Sequence, residues 1–336
     1  MKKKIALLAG GYTDEAKVSY QSAEFVYSQI DKNKYDVYLI TITPQKWFYR
    51  EEAENKEYVI DKNDFSLSVR NSKITFDLVF IMIHGGPGED GQLQGYFDML
   101  GVKYTGCGLL SSALTMNKGY TKSVLNDIKN LNVAKSLVFH KGEKEKAEEQ
   151  ILKELNFPLF VKPNNGGSSI GMSKVNAQSE VKQALAKAFN TENVATEVIV
   201  EEFIRGREFT QGIYTNKYGE IIVLPPSEVK TKREFFDFDA KYVPGFTEEI
   251  TPADISQKQL TSIVPILKDI YVRLNCRGMV RVDYFLEYET EKFFFVEINT
   301  IPGQTKQSFI PQQVRAAGMT EADFYMELID SYFLSI

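Results

Sequence analysis

Gly278-Met-Val-Arg281-Val-Asp283-Tyr-Phe-Leu, followed by Phe295-Val-Glu297-Ile-Asn299-Thr-Ile-Pro-Gly303, decides how this chain is read. Both stretches alternate apolar and polar residues. Side chains two apart on a strand share a face, so Arg281 and Asp283 point one way and Glu297 and Asn299 share one face of the neighbouring strand. The turn around Tyr288 to Glu291 joins them as a hairpin. Two carboxylates, an amide oxygen and an arginine then converge on one surface. Hard oxygen donors of this kind suit Mg²⁺, which keeps several waters and bridges substrate phosphates. The alternative is a salt-bridged hairpin facing solvent. Asn299-Thr-Ile-Pro-Gly303 weighs against it, because a strand ending in Pro-Gly exposes backbone N–H groups beside the acidic pair.

Lys162-Pro-Asn-Asn-Gly-Gly-Ser168-Ser-Ile-Gly171 lies between two predicted strands. Gly-Gly-Ser-Ser permits backbone angles that let successive amides wrap a phosphate, and Lys162 adds a point charge. The reading is a flap over nucleotide phosphates; the alternative is a glycine-rich hairpin without a ligand. His84-Gly-Gly-Pro-Gly-Glu89-Asp90-Gly91-Gln-Leu-Gln-Gly95 places free N–H groups at a helix start. There Glu89 and Asp90 either cap the helix or serve a site, and His84 by itself is compatible with a satisfied core histidine. Gly10-Gly-Tyr-Thr-Asp-Glu15 resembles an ordinary strand-to-helix turn.

Along the chain, Lys4 to Gly10 reads as a buried strand, Ser19 to Ile30 as a helix and Tyr35 to Ile42 as a strand. Lys73 to Ile83 reads as another strand, Gln92 to Leu100 as a helix and Val102 to Tyr104 as a short strand. This alternation implies a mostly parallel sheet covered on both faces, with ligands at the carboxyl ends of its strands. The style changes near Thr105. Leu109 to Ile128 is expected to be helical, Ser136 to His140 extended, and Gly142 to Leu155 a solvated helix. Phe157 to Lys162 and Met172 to Val175 are expected strands. From Thr196 onward strands dominate, with one long helix over Ser256 to Leu274. A length of 336 residues suits two or three domains.

Composition narrows the chemistry. With 40 basic against 45 acidic side chains the net charge is −5, which argues against a general electrostatic grip on nucleic acid or on anionic membrane. Cys107 and Cys276 fit no metal spacing or disulfide framework, so reduced thiols and a cytoplasmic setting are expected. Met1-Lys-Lys-Lys with Ile5 to Ala9 superficially imitates a signal peptide, but the apolar run is short and Asp14 and Glu15 follow it. No P-loop or dinucleotide fingerprint is present in the sequence, and two histidines exclude a multi-histidine zinc site.

Taken together, these segments and their order resemble the D-alanine–D-alanine ligases of the ATP-grasp superfamily, from Gly10 to Pro311. The resemblance implies an α/β protein. Its parts are an N-terminal Rossmann-like parallel-sheet domain (1–105), a central ATP-grasp subdomain with the phosphate flap (106–200) and a C-terminal catalytic and metal-binding subdomain (201–336). It implies ATP, two Mg²⁺ ions (Mn²⁺ substituting), two molecules of D-alanine, a homodimer, and a product destined for peptidoglycan. Lys118 and Lys162 match the lysines that hold ATP phosphates, and Lys241 one near the transferred phosphate. Glu201, Glu202, Phe203 and Ile204 resemble the hinge that receives adenine, and Glu208 the residue that holds the ribose. Asp283, Glu297 and Asn299 match the metal ligands. Glu15 matches the carboxylate that holds the first substrate's ammonium group, with His84 nearby. Ser168 and Tyr242 match the partners linking Glu15 to the flap and the covering loop. Arg281 and the N–H of Gly303 match the oxyanion hole, and Ser308 and Phe309 the positions that receive the second carboxylate. Phe235-Phe236-Asp237-Phe238 stands where tyrosines are usual, Gly166 where an acidic or polar residue is, and Lys306-Gln307 where Ser-His is. A ligase using D-lactate or D-serine as acceptor is the second reading. A nucleotide-binding relic without turnover is a third, disfavoured because Asp283, Glu297, Asn299 and Arg281 are all present.

Overall fold

The computed structural model describes residues 2–51, 53–167, 171–191, 196–231 and 247–334. The expected site residues Ser168, Lys241 and Tyr242, and the Phe235 to Phe238 run, lie outside the described residues.

β1 (Lys3–Gly10) is a central strand whose last six residues are all buried, as its unbroken apolar run requires. α1 (Ala16–Gln29) and β2 (Tyr35–Ile42) follow. The chain then runs through β3 (Trp47–Glu51), β4 (Lys56–Asp61), β5 (Ser66–Val69) and β6 (Ser72–Ile74) to β7 (Leu78–Ile81). The sheet order is β6-β5-β4-β3-β2-β1-β7. Parallel pairing joins β1 to β2 and to β7, whereas β2 through β6 form an antiparallel meander. The expected mostly parallel sheet is therefore parallel at its centre and antiparallel over the rest. The single strand expected over Lys73 to Ile83 is two strands at opposite edges. Asp77 sets the second one, its N–H reaching the carbonyl of Lys4 and its carboxylate accepting from the N–H of Lys4, each at 2.8 Å. Val102 to Tyr104 contributes a single bridge, Tyr104 to Val79. At the carboxyl end of β1, Gly10 takes φ +103° and a side chain there would meet the carbonyl oxygen of Ile42 at 2.3 Å.

α2 (Gln92–Leu100), α3 (Leu109–Met116) and α4 (Lys118–Leu125) follow. The helix expected over Leu109 to Ile128 is broken at Asn117, which is extended and caps α4 by accepting from the N–H of Tyr120 at 2.9 Å. β8 (Leu131–Val133) crosses to the last sheet. β9 (Ser136–His140), α5 (Lys144–Glu154), β10 (Leu159–Pro163), β11 (Ser173–Val175), α6 (Gln178–Phe189) and β12 (Glu197–Glu202) build a four-stranded antiparallel sheet, β11-β10-β12-β9. Helices α5 and α6 bury Ile151, Val181 and Leu185 against Leu159, Val161 and Val198 of its strands.

The last sheet comprises β13 (Gly206–Thr215), β14 (Ile221–Val223), β15 (Ser227–Thr231), β16 (Thr247–Ile250), β17 (Met279–Glu287) and β18 (Phe293–Asn299) with β8. Helix α7 (Gln257–Arg273) starts as expected at Ser256, in a capping box with Gln259. Two helices not anticipated from the sequence, α8 (Phe309–Ala316) and α9 (Glu321–Phe333), end the described chain. Their Val314, Phe324 and Leu328 share one apolar core with Ile5, Leu7 and Phe80 of the first sheet. The chain's end thus returns to its beginning, and the loop before α8 is held against α1 and the loop after β7.

Candidate active site

A cavity of about 1980 Å³ opens between these sheets, and every expected site residue within the described set lines it. Its floor is the β17–β18 hairpin. Arg281 lies opposite Asn299 and Asp283 opposite Glu297, but Tyr284 lies opposite Phe295, so Val296 is an extra residue in β18. This bulge reverses the alternation. Phe293 and Phe295 before it and Ile298 after it all enter the apolar core with Val280, Val282 and Tyr284. Glu297 and Asn299 consequently join Arg281 and Asp283 on the cavity face. The guanidinium grips Asp283 from Nε and Nη2 at 2.9 and 2.8 Å, and the Thr210 hydroxyl also donates to that carboxylate. Burial acts to lower the basicity of Arg281, but Asp283 outweighs it and raises the pKa, so the group is permanently charged. The face of Phe309 stands 5.7 Å from the guanidinium carbon.

Among the described residues no group of three His, Cys, Asp or Glu side chains is placed to hold a metal. The donor set is instead two carboxylates and the Asn299 amide, facing one another across one ladder. That set fits a divalent oxygen-seeking ion completing its shell from water and phosphate oxygens, and it does not fit a softer metal.

The wall opposite comes from the glycine loop after β7. His84 is buried, with Nδ1 2.8 Å from the carbonyl oxygen of Ile301 and Nε2 3.0 Å from the Ser22 hydroxyl. The carbonyl only accepts, so Nδ1 carries the proton. Burial drives the imidazole pKa down to about 4, and the ring is neutral. Glu89 takes the N–H of Ile301 at 3.0 Å and that of Gly85 at 2.8 Å. The carboxylate at the start of α2 is that of Asp90, accepting from the N–H of Gln92 at 3.1 Å. Burial, and then the nearby Glu15 carboxylate, push Glu89 up to about 8. Glu15 stands between this loop and the flap: a side chain at Gly85, where φ is +65°, would meet its Oε2 at 2.5 Å, and one at Gly167 its Oε1 at 3.3 Å. The N–H groups of Gly303 and Ser308 belong to the turn held by Ile301, in which the Ser308 hydroxyl accepts from the N–H of Thr305 at 3.0 Å.

Lysines gather at the other end. Lys118 opens α4 and donates to the carbonyl of Gly166 in the flap at 2.6 Å. Buried Asn117 and Asn164, with the half-buried Glu197, tie α4 to the end of β10, with Asn164 Nδ2 2.9 Å from Asn117 Oδ1 and 2.7 Å from Glu197 Oε2. Glu201 is buried between two ammonium groups, Lys162 at 2.6 Å and Lys122 in direct contact. Burial alone would raise its pKa, but the two lysines pull it down to about 2. Its side chain is thus occupied by lysines. Glu202 turns to the N–H and amide of Asn156, each at 2.9 Å. Phe203 sets its ring edge-on to Phe160, and with Ile204 these make the apolar part of the cavity. Glu208 lies beside them on β13, opposite Phe285 of β17.

Sequence reasoning missed Lys122, Thr210 and the Asn117–Asn164–Glu197 group, and left Glu89 between two roles. The one signal for Lys122 was its place four residues after Lys118, on the same helical face.

Residues 4–107 match the family described as D-ala D-ala ligase N-terminus, and residues 125–330 the D-ala D-ala ligase C-terminus. A D-alanine--D-alanine ligase of Parabacteroides distasonis is 45% identical over 98% of this chain and 97% of its own. One from Azobacteroides pseudotrichonymphae is 42% identical over 98% and 99%. Among solved structures, a D-Ala:D-Ser ligase from Enterococcus faecalis superposes with a TM-score of 0.88 at 34% identity, covering 99% of this chain and 100% of that one. The chain belongs to the D-alanine–D-alanine ligase family of ATP-dependent ligases, with the ATP-grasp fold.

Proposed function

We propose that the chain joins two D-alanines into D-alanyl-D-alanine at the expense of ATP, as a step of peptidoglycan precursor synthesis. The observation that supports this most is the meeting, in one cavity, of the Arg281–Asp283–Glu297 floor, the Glu15 carboxylate and the lysines of α4 and β10. The curated names of relatives above 40% identity over nearly the full chain agree with it.

In this reading Glu15 holds the ammonium group of the first D-alanine, with the neutral His84 behind it. A carboxylate is a poor acylating agent, so its oxygen attacks the γ-phosphorus and ADP leaves, giving D-alanyl phosphate. Lys118, Lys162 and Lys241 neutralise phosphate charge, and positioning supplies much of the remaining acceleration. Asp283, Glu297 and Asn299 would hold Mg²⁺, two ions in the family, whose charge offsets that of the phosphates. The amine of the second D-alanine loses a proton and attacks the acyl carbon; phosphate departs as the C–O bond breaks. Arg281 and the Gly303 N–H stabilise the intervening oxyanion, on the order of 10²–10³ in rate per donor. Ser308 and Phe309, at the start of α8, receive the second carboxylate where helix N–H groups favour an anion. Phe203 and Ile204 take the adenine and Glu208 the ribose, while Glu201 serves through its lysines. Ser168 and Tyr242 would link Glu15 to the elements that exclude water. The three sheets support a division into 1–105, 106–200 and 201–336, although β8 pairs with the last sheet and β12 of the second runs past residue 200. A homodimer and a cytoplasmic setting complete the reading; among the described residues no helix is long and apolar enough to cross a membrane.

The test is ADP release with D-alanine alone and with equimolar D-serine or D-lactate, products identified by mass. D-Alanyl-D-alanine as the main product at pH 7.5 is expected. No ADP release with D-alanine, or a mixed dipeptide or ester as main product, overturns the proposal.

A further inference from the structure

The buried carboxylate of Glu201 carries one ammonium on each oxygen, Lys162 on Oε2 and Lys122 on Oε1. The two lysines are not equivalent. The Lys162 side chain is 14% exposed and the Lys122 side chain 6%. Lys162, near the end of β10, lines the cavity together with Glu297 of the hairpin and Glu208 of β13. Lys122 comes from α4, one turn after Lys118, and takes the other oxygen of Glu201; both lysines line the cavity, Lys122 the more deeply buried of the two. A buried carboxylate stripped of every partner is strongly unfavourable. With a single counter-ion, Lys162 would stay on Glu201 and be lost to any phosphate in the cavity. With two, one can leave.

We propose that Lys122 is a positioning residue: by holding Glu201 it frees Lys162 to swing onto the phosphates of bound ATP. Glu201 then stays paired in both states, and the patch keeps the net positive charge that draws the phosphates in. Lys122 itself does not touch the nucleotide. This rests on the nucleotide reading given above.

The test measures the affinity of the full-length enzyme for Mg²⁺-ATP and for adenosine by calorimetry, together with steady-state kinetics. Lys122→Met is expected to weaken ATP binding about tenfold and adenosine binding less than about twofold. KM for ATP rises, while kcat at saturating ATP stays within roughly threefold. Lys122→Arg restores most of the affinity. The double variant Lys122→Met/Glu201→Gln removes the carboxylate that would detain Lys162, so its ATP affinity returns to within about threefold of the parent. Unchanged ATP affinity in Lys122→Met, or equal losses for ATP and adenosine, overturns the proposal. Where Lys122→Met does not fold, Lys122→Gln, which can still donate to Glu201 but carries no charge, takes its place: the same selective loss of ATP affinity supports the proposal, and unchanged ATP affinity overturns it. A parent enzyme that binds no ATP overturns the nucleotide reading instead.

Discussion

His84 donates from Nδ1 to the carbonyl oxygen of Ile301, 2.8 Å away and 217 positions later in the chain. Glu89 takes the N–H of the same residue, so one glycine loop holds both backbone polar groups of Ile301, two residues before Gly303. His84→Ala leaves that carbonyl without its donor and the Ser22 hydroxyl with only the N–H of Gln304, at a cost of about 1–3 kcal/mol. Turnover should fall further than stability does, because a shift of about 1 Å in a positioned donor costs on the order of 10² in rate. Urea denaturation beside steady-state kinetics checks this. A destabilised variant with normal kcat/KM would show that the grip does not position Gly303.

Glu201, His84 and Glu89 each contribute to the pH dependence of stability in the substrate-free protein. Glu201, pulled down to about 2 by its two lysines against the effect of burial, contributes stability above its unfolded value near 4.3, which is lost as pH falls toward 2. His84, held near 4 by burial, acts in the same direction between about 6.5 and 4. Glu89, raised to about 8 by burial and by Glu15, acts oppositely: its contribution is full below about 4.3 and is lost as pH rises toward 8. Denaturation midpoints should therefore decline on both sides of a maximum. Glu89→Gln should flatten the alkaline limb while leaving the acid limb in place; an unchanged alkaline limb would refute the assignment.

Arg281 is bound through two nitrogens to Asp283. A lysine carries the charge but not the planar fork. Arg281→Lys is expected to lower kcat about 10²-fold or more while ATP affinity stays within about threefold, the pattern of a group that acts on the oxyanion. If calorimetry shows the loss in ATP binding and kcat is retained, the oxyanion role is wrong.

The extra residue Val296 turns Glu297 and Asn299 into the cavity. Glu297→Gln should nearly abolish turnover and leave stability within about 1 kcal/mol. Steady-state kinetics beside urea denaturation checks this. Full activity in that variant would mean that Glu297 holds no metal needed for turnover.

Where neighbouring residues decide an element, the sequence was readable. The buried run of β1, the β17–β18 hairpin and the Ser256 capping box stand where apolar runs, strand patterning and capping chemistry put them. Where the deciding partner is remote, it was not. Residues 47 to 74 are short strands that find their meaning only as an antiparallel extension of a parallel centre. Leu109 to Ile128 has helical periodicity throughout, yet breaks because the Asn117 side chain caps α4 and also reaches Glu197, 80 positions away.

What the sequence determined alone was a local inventory: the central strands of the first sheet, the β17–β18 hairpin, α7, and the acidic, basic and glycine residues that come to line the cavity. Periodicity and turn chemistry are local properties, and they survive without the rest of the molecule. The tertiary structure alone decided the pairing of that inventory. It sets Lys122 on Glu201, makes His84 and Glu89 share Ile301, and brings α8 and α9 back against the first sheet. Each of these joins residues far apart in sequence whose buried charge or backbone polar group had to find a partner, and burial exists only once the sheets have packed.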